Sequence, residues 1–430
     1  MKRVIVFGGG FAGLSAAVYL SENNFEVTLL EASPKLGGRA YSQLNDSQND
    51  IYDNGQHILM GCYEETIAFL KKINSIDKLD IRESLSIPFV KRGGSIYKLD
   101  SRKYFYPLNL LSGFMNYKAL SVKERLKVID FFLDMLFCYS CDLKDKTVSE
   151  WLKCKKQSDN SIKAFWEILV VGALNTTVDN ASAEIFEEVL ERIFLTGNKS
   201  ASILLPKVGL TQLYVEDAVQ FITDRNAKIN LSEKVIQIVM KENAVTEVIT
   251  DRNSYNDYDY VVTAIPALAF KKIKIISDQK FEFPELQYSP IVNVHLWLKE
   301  NPFQEEFYGL LYSQIHWVFN HGKHISLTTS SADILTKVSN EKIVDEFSSE
   351  LEKYFPIFRK EIIIDSKVVK EKRATFVPDV ASNQLRKNFI FASENMFFAG
   401  DWINTGLPST IESAVLSGKL AASNVITSLK

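Results

Sequence analysis

Residues 3–39 read RVIVFGGGFAGLSAAVYLSENNFEVTLLEASPKLGGR, and this stretch decides the fold. The run over 3–7 is apolar and mostly β-branched, which is typical of a buried parallel strand. Apolar residues then recur at helical spacing over 11–22, and a second strand over 27–30 ends at Glu31. The order strand, glycine turn, helix and strand predicts a βαβ unit at the start of a parallel sheet.

Three glycines fill the turn between this strand and this helix in the pattern Gly-x-Gly-x-x-Gly. Gly8 permits the tight turn, Gly10 lets backbone N–H groups approach a diphosphate, and Gly13 lets the helix pack close to the sheet. Phe11 and Ala12 begin the helix, whose free N–H groups and dipole favour negative charge. We therefore predict that these five residues hold the diphosphate of a dinucleotide.

The end of the second strand carries the residues expected to hold the ribose. Glu31 lies 21 residues after Gly10, where a carboxylate can accept both ribose hydroxyls and would repel a 2′-phosphate. This predicts FAD or NAD rather than NADP, with Ala32 beside the carboxylate; the alternative is an ordinary charge at a strand end. Gly38 and Arg39 follow, and Arg39 offers charge-assisted donors to phosphate or flavin.

The last part of the chain completes the predicted cofactor site. A buried strand over 396–399 ends in Gly400 and Asp401, and Asp401 is placed to hydrogen-bond the ribityl chain of a flavin. The start of the last helix can face the flavin pyrimidine and stabilise negative charge on a reduced flavin. A turn followed by a simple N-cap is the alternative. Both ends of the chain together predict FAD rather than NAD, and the residues at the start of the last helix are Pro408, Ser409, Thr410 and Ile411.

Elements of the nucleotide-binding unit recur at the beginning, middle and end of the 430 residues. We predict an α/β fold with a discontinuous, Rossmann-like FAD-binding domain over 1–80, 205–265 and 385–430. A second, substrate-binding α+β domain with a mixed sheet and helices occupies 81–204 and 266–384, and its part from about 100 to 200 is a helical insert. Strand patterns at 235–240, 244–250 and 260–265 predict a three-stranded meander.

The composition argues against several classes of protein. With 50 Lys and Arg against 53 Asp and Glu the net charge is −3, so no nucleic-acid partner is expected. Cys138 and Cys141 form a C-x-x-C without further zinc ligands, and His316, His321 and His324 lack carboxylate support, so no metal site is predicted. No apolar run has the length that spans a bilayer. We expect a cytoplasmic protein, leaving open a peripheral contact with the inner face of the membrane.

Three segments spread over the chain carry a family resemblance: VIVFGGGFAGLSAAVYL at 4–20, PKVGLTQLYVEDA at 206–218 and FFAGDWINTGLPSTIESAVLSGKLAA at 397–422. They resemble the amine oxidase/phytoene desaturase superfamily of FAD enzymes. The resemblance implies that Val235 contacts the adenine through its backbone. It also implies that the segment 53–61 passes near the isoalloxazine ring, which places Gly55, Gln56 and His57 at the cofactor.

Within that superfamily, DNGQHILMG at 53–61 and YSPIVNVHLW at 288–297 resemble the hydroxysqualene dehydroxylases. The resemblance implies reductive removal of the hydroxyl group of hydroxysqualene, giving squalene. Amine oxidases commonly carry a Lys in the strand after the flavin-facing segment, and 291–295 has none, so amine oxidation is disfavoured. An FAD-dependent desaturase or oxidase of a carotenoid or other polyprenoid stays an alternative, as does, more remotely, a non-enzymatic flavin or lipid carrier.

A triterpene alcohol needs a deep apolar pocket and a proton donor, and the sequence offers candidates for both. The insert supplies aliphatic and aromatic residues for the pocket. His57 is the candidate proton donor; the alternative is a His that only hydrogen-bonds the cofactor or the backbone. The aromatic run over 103–115, beside Arg102 and Lys103, predicts either a patch that dips into a membrane surface or an ordinary helical cap. A single dinucleotide fingerprint implies that electrons come from a transiently bound NAD(P)H or from a redox protein.

Overall fold

The computed structural model describes residues 1–101, 104–137, 142–279 and 281–428. Arg102, Lys103, Cys138 and Cys141, which entered the predictions above, lie outside these ranges. The described strands form five sheets, of which a five-stranded parallel sheet and a seven-stranded mixed sheet are the largest.

The parallel sheet is the framework of the nucleotide-binding unit. Its interior is continuous, because Val4, Val6, Val27 and Leu29 are at most 1% exposed. This arrangement confirms the predicted α/β, Rossmann-like fold class. All neighbouring strands are parallel, in the order Lys228–Leu231, Glu26–Glu31, Arg3–Phe7, Tyr260–Thr263 and Met396–Phe398.

Two helices from opposite ends of the chain, Phe11–Glu22 and Ile411–Thr427, pack against each other beside this sheet. They approach closely at a glycine of the last helix. A Cβ at Gly418 would lie 2.2 Å from the Ala12 carbonyl oxygen and 2.9 Å from the Ser15 Cβ. The beginning and the end of the chain are therefore joined by a helix contact that has no room for a side chain.

The predicted meander is correct for two strands and wrong for the third. Val235–Lys241 and Ala244–Thr250 pair antiparallel. Tyr260–Thr263 instead enters the middle of the parallel sheet next to Arg3–Phe7. The reason is burial, because the two central valines of this strand are fully buried and a continuous apolar run fits a strand covered on both faces. The two antiparallel strands belong to a four-stranded sheet, and its remaining strands are Ser254–Tyr255 and Lys274–Ile276.

The mixed sheet has two chemically different faces. In its longest central strand, Val292, Val294 and Leu296 are fully buried in one cluster with the helix Asn340–Tyr354, because side chains alternate between the faces. On the other face, Asn293 and Trp297 contact the nucleotide-binding unit at Asn54 and Asp50. The strands run in the order Ile363–Phe376, Tyr288–Leu298, His324–Ser330, Trp317–Asn320, Phe307–Leu310, Ser86–Val90 and Ile96–Asp100.

The helical insert packs on this sheet around an aromatic core. The ring of Phe131 lies 4.6 Å from that of Trp151 and 4.5 Å from that of Trp166, and all three side chains are buried. Tilted aromatic contacts of this kind bury a large apolar area in one place. The α-helices of the insert are Leu108–Asn116, Val122–Leu136, Val148–Cys154, Asp159–Ser161, Glu167–Leu174 and Ala183–Leu190, and two π-turns follow at Ile162–Trp166 and Glu191–Leu195.

Shorter elements connect these units. A hairpin consists of Ser42–Asn45 and Asp50–Asp53. A three-stranded sheet consists of Leu59–Met60, Ile203–Pro206 and Leu79–Ile81. The remaining α-helices are Glu64–Lys72, Glu216–Thr223, Ala267–Phe270 and Val380–Lys387. Single turns of π- or 3-10 helix lie at Thr211–Val215, Ile76–Lys78, Leu335–Lys337 and Lys360–Ile362.

The start of the insert carries exposed apolar side chains, which we call the insert patch: Tyr104, Phe105 and Leu108 are 57%, 74% and 46% exposed. Phe114, which we expected on the same surface, is buried and stacks on Phe132 at 5.1 Å. The aromatic run therefore divides between the surface and the core. Among the described helices, none combines the length and the apolar character needed to cross a membrane.

We expect Gly418→Ala to lower the free energy of unfolding by about 1–3 kcal/mol, because the added methyl group overlaps the first helix. Urea denaturation measures the change. Gly172→Ala is the matched control, since Gly172 also lies inside a helix but its added Cβ would make an ordinary contact, 3.8 Å from the Trp317 ring. The control should be neutral or gain up to ~1 kcal/mol. Equal losses in both variants would contradict the close-contact argument.

Candidate active site

Glu31 is fixed beneath the glycine turn. Its two carboxylate oxygens accept hydrogen bonds from the Gly9 N–H at 2.7 Å and the Ser33 N–H at 2.8 Å. Gly8 has a φ of +107°, and a Cβ there would lie 2.6 Å from the Ala264 carbonyl oxygen, so the turn requires glycine. The backbone thus orients the carboxylate, and each oxygen keeps a lone pair for a ribose hydroxyl.

A cleft of about 430 Å³ begins at this turn. Gly8, Glu31, Ala32, Arg39 and Val235 all line it. They come from separate parts of the chain, and the sequence predicted each of them for the cofactor. The cleft is therefore the place where the predicted nucleotide-binding residues meet, and the glycine turn with its carboxylate suits the adenosine diphosphate half of FAD.

The second glycine loop packs directly on the first. Gly38 has a φ of +59°, and a Cβ there would lie 3.2 Å from the Gly10 Cα. Tyr214 supports this loop, because its hydroxyl lies 2.7 Å from the Gly37 carbonyl oxygen while its ring stacks on Phe11 at 3.5 Å. We did not predict Tyr214. It lies in one of the segments that carry the family resemblance, but no local pattern marks the tyrosine itself.

Arg39, which is partly exposed, and the buried Asp401 form an ion pair that joins the two ends of the chain. Arg39 also donates to the Ala374 carbonyl oxygen at 3.0 Å, and the Ser409 hydroxyl donates to Asp401. Burial opposes the charge of Asp401, but Arg39 and Ser409 outweigh it and hold the pKa of the carboxyl below its ordinary value. Asp401 therefore stays ionised beside the cleft, where it can meet a cofactor hydroxyl.

Arg386 anchors the loop before the last helix, and the sequence did not predict this role. Its guanidinium donates to the carbonyl oxygens of Trp402 at 3.0 Å, Ile403 at 2.9 Å and Leu407 at 2.8 Å. Burial lowers the pKa of Arg386 to about 10, which leaves the group charged at neutral pH. One buried cation thus holds three carbonyl groups of a single loop, which favours one loop conformation. The local sequence QLRK contains no signal for this contact.

Gly55, Gln56 and His57 lie in a loop that reaches the mixed sheet. A Cβ on Gly55 would lie 3.3 Å from the Asn293 Nδ2 and 3.7 Å from the His57 Nε2. Gln56 is half-buried in the same loop. Asn54 begins the loop and is buried. Its side-chain amide accepts a hydrogen bond from the Tyr41 N–H and donates one to the Arg39 carbonyl oxygen. The loop predicted to pass near the isoalloxazine is therefore held between the nucleotide-binding unit and the sheet.

The protonation state of His57 bears on its predicted role. Burial lowers the pKa of His57 to about 4, so the imidazole is neutral at neutral pH. A neutral ring can donate a hydrogen bond, whereas a protonated ring is scarce under these conditions. The role of His57 as proton donor stays a prediction, with a purely hydrogen-bonding role as the alternative.

Asn293 lies on the strand where the resemblance to amine oxidases would place a lysine. Its amide donates to the Asn54 carbonyl oxygen at 3.3 Å and accepts from the Thr328 hydroxyl at 2.8 Å. The side chain is 1% exposed, and both ends of its amide are satisfied within the protein. This position therefore contributes no charge to the site.

A pocket with apolar walls lies between the insert and the mixed sheet. It extends to the loop that Arg386 anchors, because Leu407 and Pro408 form part of its wall. The pocket therefore connects the insert with the predicted flavin-facing residues. Its other apolar lining residues include Ile58, Phe89, Leu169, Phe186, Ile193 and Trp317.

Comparison with known proteins identifies the class. Residues 11–426 match the family model of the flavin containing amine oxidoreductases, so the chain belongs to that family. The hydroxysqualene dehydroxylase of Zymomonas mobilis is 27% identical over 98% of this chain and 98% of its own length. The chloroplastic/chromoplastic zeta-carotene desaturase of Zea mays is 23% identical over 97% of this chain and 82% of its own length.

Among solved structures, cyclohexylamine oxidase from Brevibacterium oxydans is similar in fold, with a TM-score of 0.70 and 14% identity over 100% of this chain and 99% of that chain. The predicted class is thereby confirmed: the protein is an FAD-dependent oxidoreductase. The resemblance to the hydroxysqualene dehydroxylases is also confirmed, and it extends along nearly the whole chain.

We expect Arg386→Met to lower the free energy of unfolding by about 2–4 kcal/mol, because three carbonyl groups, two of them buried, lose a charged donor. It should also weaken FAD binding, since the loop follows Asp401. Urea denaturation of the apoprotein and equilibrium titration with FAD measure the two effects. Arg225→Met is the control, because exposed Arg225 donates to the Phe221 carbonyl oxygen, four residues earlier, at 2.9 Å. A loss no larger than that of the control would contradict the anchoring role.

Proposed function

We propose that this enzyme removes the hydroxyl group of hydroxysqualene reductively and releases squalene. The observation that carries the proposal is the pocket whose apolar walls end at the loop before the last helix. A triterpene alcohol is a long hydrocarbon with one polar group, and a deep apolar pocket is the environment that favours it. The Zymomonas mobilis relative, named for this substrate, supports the same choice.

The reaction consumes one hydride and one proton for each substrate molecule. FAD, when bound and reduced, supplies the hydride to carbon. The C–O bond breaks, and the hydroxyl takes up the proton and leaves as water. The apolar walls keep bulk water out, and we propose His57 as the proton donor. Because burial lowers the pKa of His57 to about 4, its ring is neutral in the protein alone. It can release a proton to the hydroxyl only in the protonated form, which nearby negative charge favours by raising that pKa.

Oxidative desaturation of a polyprenoid is the second candidate, since the maize zeta-carotene desaturase also matches 97% of this chain. The same apolar pocket suits a carotenoid. Amine oxidation has less support, because 291–295 lacks a lysine and Asn293 is neutral. Dehydroxylation and desaturation differ in the direction in which electrons pass through the flavin.

Reducing equivalents come from outside the chain in this proposal. The sequence contains a single Gly-x-Gly-x-x-Gly fingerprint, at 8–13, and the structure uses it for the cleft beside Glu31. We therefore propose that NAD(P)H or a redox protein reduces the flavin by docking transiently.

Turnover of the reduced enzyme tests the proposal. We expect the FAD-loaded enzyme, photoreduced without oxygen, to be reoxidised by hydroxysqualene with formation of an equal amount of squalene. Flavin absorbance measures the reoxidation, and chromatography of the lipid extract measures the squalene formed. His57→Ala should retain its flavin and reoxidise roughly 10²–10⁴-fold more slowly, the usual loss when an acid catalyst is removed.

Two results would count against dehydroxylation. The first is a reduced enzyme that hydroxysqualene does not reoxidise. The second is an oxidised enzyme that becomes reduced on mixing with a carotenoid precursor, which would favour desaturation. Unchanged reoxidation in His57→Ala would remove only His57 from the mechanism.

We also propose that the enzyme takes its substrate from a membrane surface through the insert patch, as a peripheral protein of the cytoplasmic face. The patch borders the pocket, because the intervening Tyr106 hydroxyl donates to the Phe194 carbonyl oxygen at 3.4 Å and Phe194 lines the pocket. Exposed apolar side chains beside a pocket are typical of a surface that contacts lipid. A substrate that dissolves in lipid would then reach the pocket without crossing water.

We expect Phe105→Ser/Leu108→Ser to reduce binding to anionic lipid vesicles at least tenfold, since each buried side chain of this size contributes about 1.5–3 kcal/mol. Vesicle flotation measures the bound fraction. Ile334→Ser/Ile390→Ser is the matched control, because these residues are 81% and 83% exposed but lie outside the insert. Equal flotation of both double variants would contradict the role of the patch.

A further inference from the structure

The wall of the apolar pocket is polar only near the start of the last helix. Among the described residues that line it, apart from the Trp317 indole, the polar side chains are Cys62, Tyr63, Arg192, Thr410 and Glu412. They lie together, since Cys62 is close enough to Glu412 and Arg192 to be affected by their charges. An otherwise apolar pocket thus has one small polar region, and that region lies beside the predicted flavin-facing residues.

Two of these polar groups are already engaged by the protein. Both carboxylate oxygens of Glu412 accept backbone N–H groups at the start of the helix Glu64–Lys72, from Glu65 and Thr66, each at 2.9 Å. The Thr66 hydroxyl donates to the same carboxylate at 2.7 Å. Arg192 directs its Nε to Glu188 at 2.6 Å. Glu412 and Arg192 therefore serve mainly to hold the local structure.

The Thr410 hydroxyl accepts the Ser413 N–H at 3.1 Å as the cap of the last helix, which leaves Tyr63 as the strong neutral donor of the region. The chain before it is fixed, because the Gly61 N–H donates to the Ser202 carbonyl oxygen at 2.9 Å and a Cβ at Gly61 would lie 1.7 Å from the Lys199 carbonyl oxygen. The Thr410 side chain lies beside the Tyr63 phenol. Burial raises the pKa of Tyr63, so its hydroxyl keeps the proton at physiological pH. A neutral O–H on a fixed backbone is suited to bind a neutral alcohol.

We propose that Tyr63, together with Thr410, binds the substrate hydroxyl and so determines which carbon of the chain lies at the flavin. The proposal rests on the proposed function, in which the substrate is a polyprenoid alcohol. Apolar walls alone hold a uniform hydrocarbon without fixing its position along the pocket. When the substrate hydroxyl is bound at one place, the position of the whole chain is fixed, because the hydroxyl has no other partner along the apolar wall.

Comparison of alcohol and hydrocarbon binding tests the proposal. FAD-loaded enzyme is titrated with hydroxysqualene and, separately, with squalene in the same detergent, and changes in the flavin spectrum give two dissociation constants. We expect the wild type to prefer the alcohol, and Tyr63→Phe to reduce this preference roughly three- to tenfold, the effect of losing one hydrogen bond. Tyr106→Phe is the matched control, because its hydroxyl contacts the Phe194 carbonyl oxygen at 3.4 Å rather than the polar region. Its preference should equal that of the wild type.

Three outcomes would overturn the proposal. An unchanged preference in Tyr63→Phe would show that the hydroxyl binds elsewhere, and equal weakening of both ligands would show a merely structural role for Tyr63. A wild type without any preference for the alcohol would exclude a hydroxyl site altogether. Failure of the proposed function looks different: the wild type and Tyr63→Phe would show the expected binding, while the photoreduced enzyme would form no squalene.

Discussion

The ion pair between Arg39 and the buried Asp401 is the contact on which the site depends. Removal of the Asp401 charge from water costs several kcal/mol, and the attraction of Arg39 offsets this cost only when both partners are held in place. The second glycine loop holds one partner, and the strand end after Met396–Phe398 with the Ser409 hydroxyl holds the other. Because the partners lie at opposite ends of the chain, the pair forms only when both ends have assembled on the parallel sheet.

The position of the mixed sheet against the nucleotide-binding unit is set by polar contacts. Asn293 pairs with Thr328 across two neighbouring strands, and four positions further along Trp297 pairs with His324. Asp50, from the hairpin beside the nucleotide-binding unit, accepts hydrogen bonds from Trp297 at 2.9 Å and from His324 at 2.8 Å. These polar contacts hold the sheet against the unit. Since a slip of one residue would exchange the two faces, the strand register itself determines which side chains face the nucleotide-binding unit.

Local patterns predicted those parts of the molecule that depend on local constraints. The glycine turn, Glu31 and the fold class follow from periodicity and from steric limits within a few residues. Periodicity reports burial but not the neighbouring strand, which is why Tyr260–Thr263 was assigned to the wrong sheet. Tyr214 supports a loop 177 positions away, and Tyr63 meets a helix start far along the chain. Such roles arise from tertiary contacts, so no spacing in the sequence indicates them.

The pocket wall and the cofactor loop are held by one short helix, Val380–Lys387. On one side Arg386 binds the carbonyl groups of the loop before the last helix. On the other side Asn383 donates to Glu184 at 2.7 Å, at the start of the insert helix Ala183–Leu190, whose Phe186 lines the pocket. Packed elements move as units rather than deform continuously. The helix Val380–Lys387 therefore joins the pocket wall to the loop beside Asp401, so the two are positioned together.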